Sequence, residues 1–158
     1  MADRLIIQVL DDALQERLAS AIASLEKPNE LMVAIGGKLE ENIQLRFVTK
    51  TDPNGVPWKE LAESTLARKA GRSSILELSG IMKGSLDSNV GTDGRDVEVG
   101  FGEIYAAYHE TGSKDGKLPR RGMLLGSISY GDESSGQLGD EDRADVLAEV
   151  DAFLIDLL

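Results

Sequence analysis

From Leu31 to Phe47 the chain places Leu31, Ile35, Leu39, Ile43 and Phe47 at every fourth position. A run this long exceeds an ordinary strand, and a spacing of four gathers all five side chains on one face of an α-helix. That helix constrains the rest of the fold, because its apolar face must be covered. Asn29 is the expected N-cap. Gly36-Gly37 lies inside the stripe and costs roughly 1 kcal/mol per glycine against alanine, which predicts a close approach or a bend there. A helix before it carries Leu10, Leu14, Leu18, Ile22 and Leu25 and ends at Pro28. Two amphipathic helices in succession are expected to pack as an antiparallel pair. Upstream, the apolar Leu5 to Leu10 fits either a strand or the lead-in to a helix.

Downstream, Thr51-Asp52-Pro53-Asn54-Gly55-Val56-Pro57 is the clearest turn, since Pro fixes φ and Asn-Gly tolerates positive φ. Trp58, the only tryptophan, follows and is expected to plug the end of the core. Ser64 or Thr65 caps a short helix closed by Gly71, and Ser73-Ser74 caps another from Ile75 to about Leu86, interrupted at Ser79-Gly80. The period then changes to two: Ser88 to Thr92 and Val97 to Val99 flank Asp93-Gly94-Arg95, a β-hairpin. Ile104 to His109 reads as a short helix ended by Gly112, Ser113 to Gly122 as a basic loop, and Met123 to Tyr130 as a strand. Gly131 to Gly139 reads as a flexible linker, followed by a helix from Asp140 with Val146, Val150, Leu154 and Leu157 or Leu158 along one stripe. The expected class is α+β: an N-terminal helix pair, central short helices with a small antiparallel sheet, and a C-terminal acidic helix. Residues 1–130 are expected to form the core domain and 131–158 the linker and acidic helix.

Charge is spread unevenly. Residues 131–158 hold nine acids against one base, Arg143, whereas 46–130 hold twelve bases and eleven acids. An acidic tail on a near-neutral middle disfavours phosphate-backbone binding and favours a basic protein partner or a solvated helix. The 158 residues contain no cysteine, which removes thiolate metal sites and cysteine nucleophiles and fits a reducing cytoplasm. The apolar stretch near Leu5 is too short for a signal peptide or a membrane span.

Enzyme readings find little support. His109 is the only histidine, so a Ser-His hydrolase lacks its usual partners. Gly100-Phe101-Gly102 begins like a dinucleotide loop, but Tyr105 takes the third glycine position. Asp140-Glu141-Asp142 and Asp93/Asp96 lack calcium-loop spacing; the first group reads as a solvated helix N-terminus favoured by the helix dipole. No cofactor or metal is expected. Lys114, Lys117, Arg120 and Arg121 form the one sharp basic cluster, read either as a solvated loop or as a docking loop for an acidic protein surface. With no interleaved aromatics it is a weak nucleic-acid signal.

Taken in order, these segments resemble the phage virion morphogenesis family, the tail-completion group of Mu-like contractile-tailed phages. The matching pieces are Arg46-Phe47; Asp52 to Trp58 with Leu61 and Thr65; Leu76-Glu77-Leu78-Ser79-Gly80; Val97 to Gly100; Tyr105 to Gly112; Leu118-Pro119-Arg120; and Leu124-Leu125-Gly126. Where the family has Pro-x-Arg-Pro-Phe-Leu-Gly, this chain has Pro119-Arg120-Arg121-Gly122-Met123-Leu124-Leu125-Gly126, without the second proline and the aromatic, so a more flexible loop is expected. The resemblance implies a non-enzymatic structural protein of the virion, assembled in the host cytoplasm. It would complete the tail or the head–tail neck junction, with other neck or tail proteins as partners. It implies action in many copies, often rings, without membrane or sequence-specific nucleic acid. In such a ring the basic loop (113–121) of one subunit is expected to meet the acidic helix of its neighbour. Charge reversal at Arg120 and Arg121 is then expected to abolish assembly and leave the monomer folded. The alternative is a soluble acidic module that captures a basic protein. Residues 113–122 and 131–139 are the candidates for ordering on binding.

Overall fold

The computed structural model describes residues 12–70 and 74–157. The expectations for Leu5 to Leu10, Gly71, Ser73 and Leu158 fall outside them. In chain order the elements are α1 (Asp12–Glu26), α2 (Asn29–Thr49), α3 (Glu63–Arg68), α4 (Ile81–Gly84), β1 (Leu86–Val90), β2 (Val97–Phe101), α5 (Tyr105–Thr111), β3 (Ser127–Ser129), β4 (Asp132–Gln137) and α6 (Asp140–Leu157). The class is α+β with a C-terminal helix. The strands form two antiparallel hairpins, β1–β2 and β3–β4.

Helix α2 is the axis. Its stripe buries Leu31, Ile35, Ile43 and Phe47, with Leu39 half-buried. Pro28 precedes it and Asn29 is its first residue, so Asn29 is not the cap, and no side chain caps this end. At the other end Lys50 takes a left-handed conformation (φ 59°) and donates its N–H to Arg46 O, closing the last turn. The principal partners of α2 are α6 and the hairpin β1–β2, while α1 packs on α6. The antiparallel pairing expected for α1 on α2 is therefore replaced by a pairing of α2 with the C-terminal helix. Gly36 explains the close approach: a Cβ there would stand 2.9 Å from Ser88 Oγ and 3.0 Å from Val97 Cγ2. Gly37 faces open space. The hairpin register pairs Leu86 with Phe101 and Val90 with Val97, and Arg95 at its turn donates to Glu26 O of α1 at 3.0 Å.

The core gathers Ile43, Phe47, Trp58, Ile75, Met82, Ala106 and Met123. Phe47 lies edge-on to Trp58 (centroids 5.7 Å apart) and to Phe101 (6.1 Å). Each large side chain so buried contributes about 1.5–3 kcal/mol. Trp58 also donates Nε1–H to Gly122 O at 2.9 Å, so it plugs the core as expected and ties down the loop.

Four local expectations are corrected. Ala62, without a side-chain hydrogen bond, precedes α3 in place of a serine or threonine cap. Residues 75–80 are turns and bends, and only Ile81–Gly84 are helical. Leu76 takes φ 61° and Gly80 φ 78°, which no α-helix accommodates. Residues 132–137, expected as flexible linker, form β4, paired with β3 through Ser127↔Gln137 and Ser129↔Asp132 across an irregular register. The strand expected over Met123 to Tyr130 is confined to Ser127–Ser129.

The largest departure concerns Asp142. Expected as part of a solvated acidic helix start, it is 1% exposed. Its Oδ1 accepts from Arg46 Nη2 and from Asn42 Nδ2 (3.0 Å), and Arg46 is itself 3% exposed. Arg46 Nη1 further donates to Met123 O at 2.8 Å. Two charges withdrawn from water are tolerated only as a hydrogen-bonded pair. Asp142→Ala, which strands the arginine, is expected to cost about 3–5 kcal/mol in urea unfolding. The double variant Arg46→Met/Asp142→Leu is expected to recover most of that loss.

Candidate docking site

Helix α5 and the loop after it are held by one buried carboxylate. Glu110 Oε2 accepts the backbone N–H of Met123 (2.8 Å) and Leu124 (3.1 Å), and Oε1 accepts that of Leu125 (2.9 Å). Arg120 Nη2 adds a contact at 3.3 Å. This carboxylate satisfies three donors that the irregular 123–125 segment could not pair within itself. Met123, in the segment where the family pattern has Pro-Phe, is fully enclosed.

The basic cluster divides in two. Arg121 is buried and donates Nε to Lys59 O (2.9 Å) and Nη2 to Glu60 O (3.2 Å). Arg120 is half-buried among Glu110, Asp52 (3.9 Å), Leu125 O and Gly126 O. Both arginines are therefore braces. Their charge reversal would disturb the folded loop, contrary to the expectation that it spares the monomer. Lys114 and Lys117 face solvent, Lys117 pairing with Asp115 at 3.2 Å. The tip closes on itself: Ser113 Oγ donates to Asp115 Oδ1 (2.7 Å), Leu118 N donates to Ser113 Oγ (2.9 Å), and Ser113 N donates to Leu118 O (2.9 Å).

Beside this loop runs a groove of about 650 Å³. Leu61, Leu76, Leu78, Met82, Tyr105 and Leu118 supply its apolar lining. Four cationic side chains, Lys59, Lys69, Lys117 and Arg121, line it against one acid, Glu60. His109 also faces it. Burial, and then the charges of Arg121 and Lys69, push its pKa below the ordinary 6.5. His109 Nδ1 has no hydrogen-bond partner among the described residues. The groove thus combines an apolar floor with a positive rim, suited to an amphipathic acidic segment. Sequence reading found Lys117 and Arg121 but missed Lys59, Lys69 and the floor. Those residues come from stretches far apart in the chain and carry no shared local pattern.

The groove's wall at 74–80, which lacks helical hydrogen bonds, is held by Glu77. Lys50 Nζ reaches Glu77 Oε2 at 2.8 Å and Lys83 Nζ reaches Oε1 at 3.2 Å, with Ser74 Oγ also donating. The Lys50 hydrogen bond, then that of Ser74, holds the Glu77 carboxyl at about 2 against an ordinary 4.5. A folded-state pKa below the unfolded one stabilises the fold fully above the unfolded value, and that stabilisation is lost as pH falls toward the folded value. The stability gap between wild type and Glu77→Gln is therefore expected to be larger at about pH 6 than at about pH 3 in urea titrations.

The Pro-Asn-Gly turn is also structural. Asp52 Oδ1 accepts from the N–H of Asn54 and Val56, each at 2.9 Å. Asn54 in turn donates Nδ2 to Gly126 O (3.1 Å) and accepts the N–H of Asp140 (3.2 Å), bracing the start of α6. Several residues that carried the resemblance thus hold separate segments together: Asp52, Asn54, Trp58, Arg46, Glu110 and Arg120. No curated protein and no solved structure matches the chain. The profile of the phage virion morphogenesis family matches residues 9–147. The match spans most of the chain and takes in every one of these braces, so the chain belongs to the phage virion morphogenesis family, with a structural role in building the phage particle.

Proposed function

We propose that this protein completes the tail or joins it to the filled head, acting in several copies through protein–protein contacts in the neck. One observation carries the reading. Large apolar side chains stand on the outer surface of a folded chain: Ile22 and Leu25 on α1, and Leu147, Leu154 and Ile155 on α6, between 40% and 71% exposed. Apolar surface left on two adjoining helices marks a contact face rather than a finished monomer. Family membership supplies the setting, the assembling particle. Lys114 and Lys117 stay within the proposal as the solvent-facing part of the docking loop.

The acidity of residues 131–158 favours a second reading, a module that captures a basic protein and has no place in the particle. Electron microscopy of lysates from the source phage with a stop codon in this gene separates the two. The proposal expects full heads and free tails side by side. Normal infectious particles would turn the assignment to the capture module.

A further inference from the structure

Helix α6 has two faces of different kind. Asp142, Val146, Val150, Phe153 and Leu157 point inward and are buried or half-buried. Ala144, Leu147, Ala148, Asp151, Leu154 and Ile155 share the opposite side at helical spacing, and all are exposed. Acids accompany this stripe: Asp140, Glu141 and Asp151 against a single base, Arg143. The groove beside loop 113–121 is its chemical complement, an apolar floor with four cations and one acid. The groove contains no residue of α6, and α6 of the same chain is packed on α2.

We infer that the groove of one copy receives the outward face of α6 from a second copy. This deepens the multi-copy reading above and rests on it. The two surfaces share no residue, so the contact can repeat head to tail, closing into a ring where the rotation allows. Leu147 and Ile155 enter the apolar floor and supply most of the affinity. Asp151 and Glu141 meet Lys59 and Lys117 at the rim, where exposed pairs set orientation more than strength. A chain with net charge −11 repels its own copies at long range, so association requires this local match of opposite charge.

Because the chain has no cysteine, an engineered pair reports on this contact alone. The stop-codon phage is supplied with the variant Lys117→Cys/Asp151→Cys, and its particles are mildly oxidised. A ladder of dimers and higher multiples is expected on a non-reducing gel, with single-chain bands from either single variant. Infectious particles whose double variant stays single-chain would overturn the contact and leave the particle role standing, since the stop-codon phenotype is read separately. A dimer from a single variant would indicate a symmetric contact and also overturn it. A second measurement uses purified proteins checked for folding by circular dichroism. Lys59→Glu/Lys117→Glu keeps a working helix and Leu147→Ser/Ile155→Ser keeps a working groove. Each alone should run as a single chain by light scattering, and their mixture as a one-to-one dimer. A mixture that remains single-chain refutes the contact.

Discussion

Arg46 and Asp142 meet where α2, α6 and the loop around Met123 converge. Neither charge has access to water, so each depends on the other and on Asn42 and Met123 O for its hydrogen bonds. Such a pair adds little net stability compared with a well-packed apolar substitute. What it does is select. Sliding α6 by a turn along α2, or withdrawing the loop, would leave a buried charge without a partner, which is far more costly than losing apolar contact. The position of the C-terminal helix, and with it the direction of its outer face, follows from this constraint.

A second buried carboxylate does the same on the other side of Met123. Glu110 collects the N–H groups of residues 123–125, and Arg120 and Arg121 tie the preceding loop to Asp52 and to the carbonyls of Lys59 and Glu60. The groove therefore has a wall of irregular backbone fixed by charge-assisted hydrogen bonds rather than by helix or sheet. An assembly component gains from that arrangement. A surface already fixed before contact loses less entropy on binding than a loop that orders on contact.

Much of the architecture could be read from the residues, and the failures share a cause. The stripe from Leu31 to Phe47, the hairpin around Asp93-Gly94-Arg95 and the helix from Asp140 were legible because each is set by local period or turn chemistry. The helix expected from Ile75 was not found, because Leu76 and Gly80 adopt positive φ in a segment held by Glu77 and its lysines. The linker expected at 131–139 contains β4, whose pairing with β3 outweighs a Gly- and Ser-rich composition. The candidate site was half legible. Lys117 and Arg121 both line the groove, but composition alone could not tell an arginine in solution from one buried against two carbonyls.

The sequence by itself determined what short-range forces control: helix α2 with its glycine pair, the Pro-Asn-Gly turn, the first hairpin and the acidic α6. It also determined the uneven charge, since that is only a sum. Tertiary structure alone decided which charges leave water. Asp142 looked like its neighbours Asp140 and Glu141, yet only Asp142 meets an arginine 96 residues away. The groove likewise exists only once distant segments converge, because burial and complementarity depend on what lies across space rather than next in the chain.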